Sequence, residues 1–171
     1  RFWDHMDKVS EEAIEEIQKE LALRVEREYG LDRNVLLYDT TNFFTFLSTA
    51  NGRGAIAKRG HNKAKRHDLR QVGLALLVSR EGQVPLFHRV YTGNIADVAL
   101  FPDLAKELLE RHDELAGPDK DATLVFDKGN VCDEAMQRFV VPGRHFVAAL
   151  PARQVSELMA TPLEHFEDLP G

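Results

Sequence analysis

The stretch VLLYDTTNFFTF, Val35 to Phe46, decides how this chain is read. An apolar, β-favouring run leads into Asp39, two threonines follow, and the aromatic residues Phe43, Phe44 and Phe46 continue beyond. An unpaired carboxylate is costly to bury, so an Asp set in such a strand calls for a cation, a metal or a dense set of donors. A second stretch has the same form. ATLVFDKG, Ala122 to Gly129, is a short apolar strand with Asp127 at its C-terminal end and a glycine two residues later. Two strands that each deliver one Asp are the central observation.

Upstream of the first strand, Ser10, Glu11 and Glu12 supply a cap and first-turn acids, and Ile14, Ile17, Leu21 and Val25 recur at helical spacing as far as Tyr29 and Gly30. This predicts an amphipathic packing helix with an acidic outer face. Trp3 and His5, in the opening RFWDHMD, are expected to pack on it or to touch a part that precedes it. Downstream, residues 48–69 lose the apolar pattern and carry glycines at 52, 54 and 60. A loop of that length inside a compact domain is uncommon and is usually functional or disordered.

Gln71 to Ser79 then reads as a buried strand and Val84 to Tyr91 as its antiparallel partner, with Glu81 and Gly82 in a tight turn between them. Asp97 is placed to cap a helix in which Phe101, Leu104, Leu108 and Leu115 share a face, with Pro102 tolerated only in the first turn. After the strand of Asp127, a helix around Val131 to Val140 ends at Pro142 and Gly143, and His145 to Leu150 forms a last strand. Ala152 to Gly171 reads as helix or coil. Three strands therefore pair antiparallel, and two later ones, each reached through a helix, lie parallel to the first by right-handed crossover. The predicted class is α/β: a ribonuclease H-like mixed sheet, three antiparallel strands followed by two parallel ones, with flanking helices. Residues 1–30 form an N-terminal helical segment, 31–151 the core and 152–171 the start of a downstream segment.

At 171 residues and 43% hydrophobic, the chain is long enough for one domain with a substantial core. Its formal charge of −6 argues against a protein that is basic overall, yet residues 53–70 hold seven Lys or Arg against Asp68 alone. Within that segment Lys58, Arg59, Lys63, Lys65, Arg66 and Arg70 are candidate phosphate contacts, a grip on the backbone rather than a reading of bases, although such a run is often just a solvated loop. The single cysteine, Cys132, excludes an intrachain disulfide, and no apolar run is long enough to span a bilayer. A soluble, cytoplasmic protein with no membrane partner is expected. It opens on Arg1 and stops at Gly171, which suggests a piece of something longer.

If the strands of Asp39 and Asp127 are neighbours, they lie about 4.8 Å apart, and their carboxylates suit hard divalent cations. Mg2+ or Mn2+ is favoured, since the chain offers neither thiolates nor closely spaced histidines for zinc. Two such ions, roughly 3.5–4 Å apart, activate water and stabilise the leaving oxygen in phosphodiester cleavage.

The blocks YDTTNFFTF, KRGHNKAKRHDLRQVGLALLVSREGQVPLFHRVYTGN, LVFDKGN and HFVAALP resemble the catalytic domain of DDE transposases from bacterial insertion sequences, across nearly the whole chain. The resemblance implies DNA transposition: hydrolysis at element ends and strand transfer into target DNA on two divalent ions, with Asp39 and Asp127 as the first two acids. It implies DNA (element ends and target) as partner and self-association in the full-length protein. The family's third acid, a Glu on a helix after an inserted segment, has no matching motif here. Glu157, Glu164 and Glu167 sit in unpatterned sequence, and the chain is expected to be inactive alone.

Blander readings stand beside these. Asp39 is satisfied by Thr40, Thr41 or backbone amides, and Asp127 caps the following helix or pairs with Lys128. Lys128, Asn130, Asn94 and His88 are expected near strand ends, each more often an ordinary turn or surface residue. Phe43, Phe44 and Phe46 are expected to fill core and sheet faces. Alternatives to the transposase are another nuclease of the same fold, such as a resolvase, or a non-catalytic ribonuclease H-like DNA-binding or assembly module.

Overall fold

The computed structural model describes residues 1–31, 34–48, 51–52, 54–62, 64–117, 120–137, 139 and 141–167, the side chains at 97, 98, 115, 116 and 153 aside. Five strands form one sheet: β1 (Val35–Thr45), β2 (Arg70–Ser79), β3 (Pro85–Thr92), β4 (Ala122–Phe126) and β5 (Arg144–Ala148). Their spatial order is β3-β2-β1-β4-β5. β1, β2 and β3 pair antiparallel, whereas β4 runs parallel to β1 and β5 parallel to β4. This is the ribonuclease H-like mixed sheet expected from the sequence.

The core lies on one face of that sheet. Strand alternation turns Leu36, Tyr38, Ala75, Leu77, Leu124 and Phe126 inward, where helix α3 (Asp97–Ala116) covers them with Phe101, Leu104, Ala105 and Leu108. Tyr38, Phe101 and Phe126 stack as a tilted series with centroids 5.0 and 4.8 Å apart, and aromatic contacts of this kind add to the burial of the rings. The opposite face carries Val35, Leu37, Val72, Leu74, Leu76, Val78 and Val125, none of which is fully buried. The two faces thus differ sharply in cover.

Helix α2 (Glu11–Tyr29) begins and ends where expected. The Ser10 hydroxyl accepts from the Ala13 amide at 3.2 Å, and Gly30 adopts φ 61°, ψ 44°, the left-handed C-cap. Its orientation, however, departs from the packing helix predicted. Ala22 and Leu23 face the core, Gln18 accepts from the His88 amide of edge strand β3 at 3.0 Å, and Lys19 pairs with Glu114 of α3. Ile14, Ile17 and Leu21 point outward. Trp3 does not pack on this helix either; it is exposed on a short helix α1 (Phe2–Met6) and meets Phe2 edge to face.

Other expectations need correction. The N-cap of α3 is Ala96, and Pro102 sits in the second turn rather than the first. A proline there forfeits the bond to the carbonyl four residues back; the buried Phe101, Leu104 and Leu108 hold the helix across that gap. The β2–β3 connection is longer than a tight turn. Gly82 and Gln83 both take positive φ, and Ser79 Oγ accepts from the Val84 amide while donating to the Glu81 carbonyl. His88 stands in the middle of β3, not at a strand end. The helix after Asp127 is shorter than predicted: one 3-10 turn (Lys128–Asn130), then α4 (Asp133–Gln137). Phe43 and Phe46 fill no core, being 57% and 86% exposed. Beyond β5 come two 3-10 turns, Ala152–Gln154 and Leu163–His165, and α5 (Ser156–Met159), mostly exposed.

Candidate active site

The parallel ladder between β1 and β4 has a constant offset: Val35 pairs with Thr123, Leu36 with Leu124, Leu37 with Val125 and Tyr38 with Phe126. One step further, the same offset sets Asp39 beside Asp127, whose φ −74° and ψ 155° continue the strand's extended course. Neighbouring strands lie about 4.8 Å apart, so the two backbones carry their carboxylates at adjacent positions. Alternation puts both on the less covered face, and both are exposed.

The two acids are held in the same way. Oδ1 of Asp39 accepts from the Thr40 amide at 2.8 Å, and Oδ1 of Asp127 accepts from the Lys128 amide at 2.6 Å. The second bond also caps the 3-10 turn. Each carboxylate is therefore oriented by the amide that follows it, and its Oδ2 has no hydrogen-bond partner among the described residues. No lysine or arginine pairs with either acid among those residues. Capping and ligation are thus compatible, because one oxygen does the first and leaves the other. No group of three or more His, Cys, Asp or Glu positioned for a metal occurs among the described residues. The donors fit a hard divalent ion in kind and stop at two in number.

β1 extends past the end of β4, and an open cleft of about 420 Å³ lies along this overhang. Asp39, Thr41, Asn42 and Phe44 line one side, and His61 and Asn62 the other. The basic loop is thereby brought up to the first acid. Buried amides fix its path. Asn62 donates to the carbonyls of Gly60 (3.2 Å) and Arg66 (3.3 Å), while its Oδ1 accepts from the Arg66 amide at 2.9 Å. Gln71, 1% exposed, donates from Nε2 to the carbonyls of His61 (2.9 Å) and Gly93 (2.7 Å). Lys58 and Gln71 also exchange backbone bonds. Gly60 and Gly93 are required by closeness: a side chain at Gly60 would collide with the Gly93 carbonyl, and one at Gly93 with that of Gln71.

The basic candidates divide. Lys58 and Lys65 are exposed and pair with no carboxylate among the described residues; Arg59 is exposed as well. Arg66 is committed to Asp68 by a two-pronged contact, Nε to Oδ1 at 2.9 Å and Nη2 to Oδ2 at 2.8 Å. That hydrogen bonding holds the Asp68 carboxyl at about 2, well under its usual 3.8, and raises Arg66. Arg70 donates to the Asn51 carbonyl at 3.0 Å. Lys63 lies outside the described residues. Asn130 is buried behind Asp127, Lys128 and Asn94 are exposed, and His88 is turned to α2 through its amide.

Reading the sequence missed His61, Asn62 and Gln71. Gln71 did leave a signal, because with Ser79 it is one of two polar members of an inward set otherwise made of Gly73, Ala75 and Leu77. His61 left none, since its place beside Asp39 depends on contacts made far along the chain.

Compared with protein-family models and with curated proteins, the chain matches none. Among solved structures it is similar to piggyBac transposase in a synaptic complex with hairpin DNA, at 12% identity and TM-score 0.46 over 77% of this chain and 26% of that one. It is also similar to Mos1 transposase in a paired-end complex with the left transposon end, at 10% identity and TM-score 0.44 over 82% of this chain and 42% of that one. The chain therefore spans well under two thirds of either solved chain.

Proposed function

We propose that this chain is the ribonuclease H-like core of a DNA transposase of the DDE type, in which Asp39 and Asp127 hold divalent metal and the loop around Lys58 to Arg70 grips DNA. The observation that supports it most is the shared register of the two acids, each with Oδ1 tied to an amide and Oδ2 outward. Carboxylate oxygens at adjacent strand ends suit Mg2+ or Mn2+. Bound there, such ions would supply activation of water and charge neutralisation at a scissile phosphate.

The chain's own residues do the rest. The Thr40 and Lys128 amides hold the acids in one orientation without neutralising them. Lys58, Arg59 and Lys65 bring phosphate to the cleft, and the Gln71 and Asn62 amides keep that loop in place beforehand, so little ordering accompanies binding. Two acids alone do not complete the family's set, and cleavage by the isolated chain is not expected.

Calorimetric titration with manganese tests the reading. Binding by the chain, abolished by Asp39→Asn and by Asp127→Ala with the fold intact, supports it. Salt-sensitive duplex binding without any metal binding would favour the non-catalytic module instead. Metal-dependent nicking of plasmid DNA by the chain, lost in Asp39→Asn, would show that two acids suffice.

A further inference from the structure

The part of β1 that overhangs β4 carries more than the first acid. Asp39, Thr41 and Phe43 stand at alternate positions, so they share the less covered face in a line about 13 Å long. Phe43 is exposed on that face, and Phe46 is exposed just past the strand, where the Thr45 hydroxyl oxygen accepts from the Leu47 amide at 3.2 Å and holds the turn. The edge of the overhang is open as well. The Asn34 carbonyl accepts from the Thr123 amide, so alternate residues from Asn34 onward turn their main-chain groups toward β4. Past the acids no strand meets that edge among the described residues, and Asn42 and Phe44 turn their N–H and C=O groups into the cleft instead. The basic loop is close by: Phe44, Gln71 and Lys58 lie in one row across the sheet, two strand spacings or about 10 Å from end to end.

We propose that the overhang of β1 binds a single, unpaired DNA strand, with bases stacked on Phe43 and Phe46 and phosphates turned to Lys58, Lys65 and the main-chain amides of Asn42 and Phe44. Exposed rings beside a cationic groove are what single strands require, because every base offers a ring face and every phosphate a charge. A duplex suits the overhang poorly, since its base faces are already stacked on one another. A polypeptide adding to the same edge would use the amides and leave the lysines without a counter-charge. The line from Phe43 to Asp39 then leads the strand from its stacked bases to the acids. This inference rests on the DNA reading above and adds the form of the substrate: a strand separated from its complement.

Fluorescence anisotropy of the full chain with a labelled thymidine oligonucleotide of about 12 nucleotides, in the presence of chelator, tests it. The single strand is expected to bind roughly tenfold or more tighter than a duplex of the same length. Phe43→Ala and Phe46→Ala, both at exposed positions, should each weaken single-strand binding roughly tenfold while leaving duplex binding and melting temperature unchanged. An abasic strand of equal length should bind the parent no better than the ordinary strand binds the double variant. A duplex bound as tightly as the single strand overturns the proposal. So does a double variant that keeps the parent's single-strand affinity, a result that assigns the two rings to a polypeptide contact. Binding of neither form overturns the DNA reading along with this inference, whereas binding of duplex alone overturns only the inference. The manganese titration, made without DNA, judges the acid pair separately from both.

Discussion

Gln71→Met isolates what holds the basic loop against the sheet. Methionine fills nearly the volume of glutamine, so the change removes the amide while leaving little cavity. Nε2 of Gln71 donates to two carbonyls, those of His61 and Gly93, and both lose their donor in the variant. A buried acceptor left unpaired is destabilising by about 1–3 kcal/mol. In the parent, Gln71 Oε1 is itself buried with no partner among the described residues, and its removal recovers a similar amount. Two losses less one gain leave a net destabilisation of about 2 kcal/mol, which for a chain of this size corresponds to a fall in melting temperature of about 4–8 °C. Calorimetry measures that fall. Limited proteolysis at the lysines and arginines of the loop should accelerate in step, because the loop is tied down through Gln71. A variant with unchanged melting temperature and unchanged cleavage would refute the claim that this amide carries the loop.

Three further outcomes follow from the same geometry. Asp39→Asn and Asp127→Asn replace exposed side chains, so each should shift stability by about 0.5 kcal/mol or less in chemical denaturation while removing manganese binding; a large loss of stability would mark the pair as structural. Lys58→Ala and Lys65→Ala should each reduce the slope of log K against log salt for duplex binding by about 1 and weaken all sequences alike, checked by fluorescence anisotropy over a salt series. Asp68 is held at about 2 in the folded chain against 3.8 ordinarily, so the contribution of its pair with Arg66 is present above the ordinary value and is lost as pH falls through about 2. Carboxyl-detected NMR should show Arg66→Ala moving that titration back up toward 3.8.

What could be read in the sequence was whatever short-range physics specifies. Ser10 and Gly30 bracket α2 because a cap oxygen and a left-handed glycine act on their own neighbours. The apolar runs ending in Asp39 and Asp127 announced two strands, and hydrophobic spacing found α3 in spite of Pro102. Features set by distant partners were not legible. The path of residues 48–69 depends on Gln71, on Gly93 and on the backbone exchange between Lys58 and Gln71, none of which leaves a periodic mark in the loop itself. The outward seam of α2 has the same spacing as a packing face, so pattern alone could not say which stripe meets the core. Phe43 and Phe46 mislead for a related reason: an aromatic run signals burial only where an element lies opposite, and past the end of β4 nothing among the described residues does.

Because strand register brings Asp39 and Asp127 to adjacent positions, their placement is indifferent to how much chain lies between them. Lengthening a surface loop adds only slowly to closure entropy, so insertions between Thr45 and Arg70 or between Thr92 and Asp97 leave the pair where it is. A single residue gained or lost inside β4 is another matter: it turns Asp127 to the opposite side of the sheet. Variation in related sequences should accordingly gather in the connections, while the short run from Ala122 to Asp127 keeps its length.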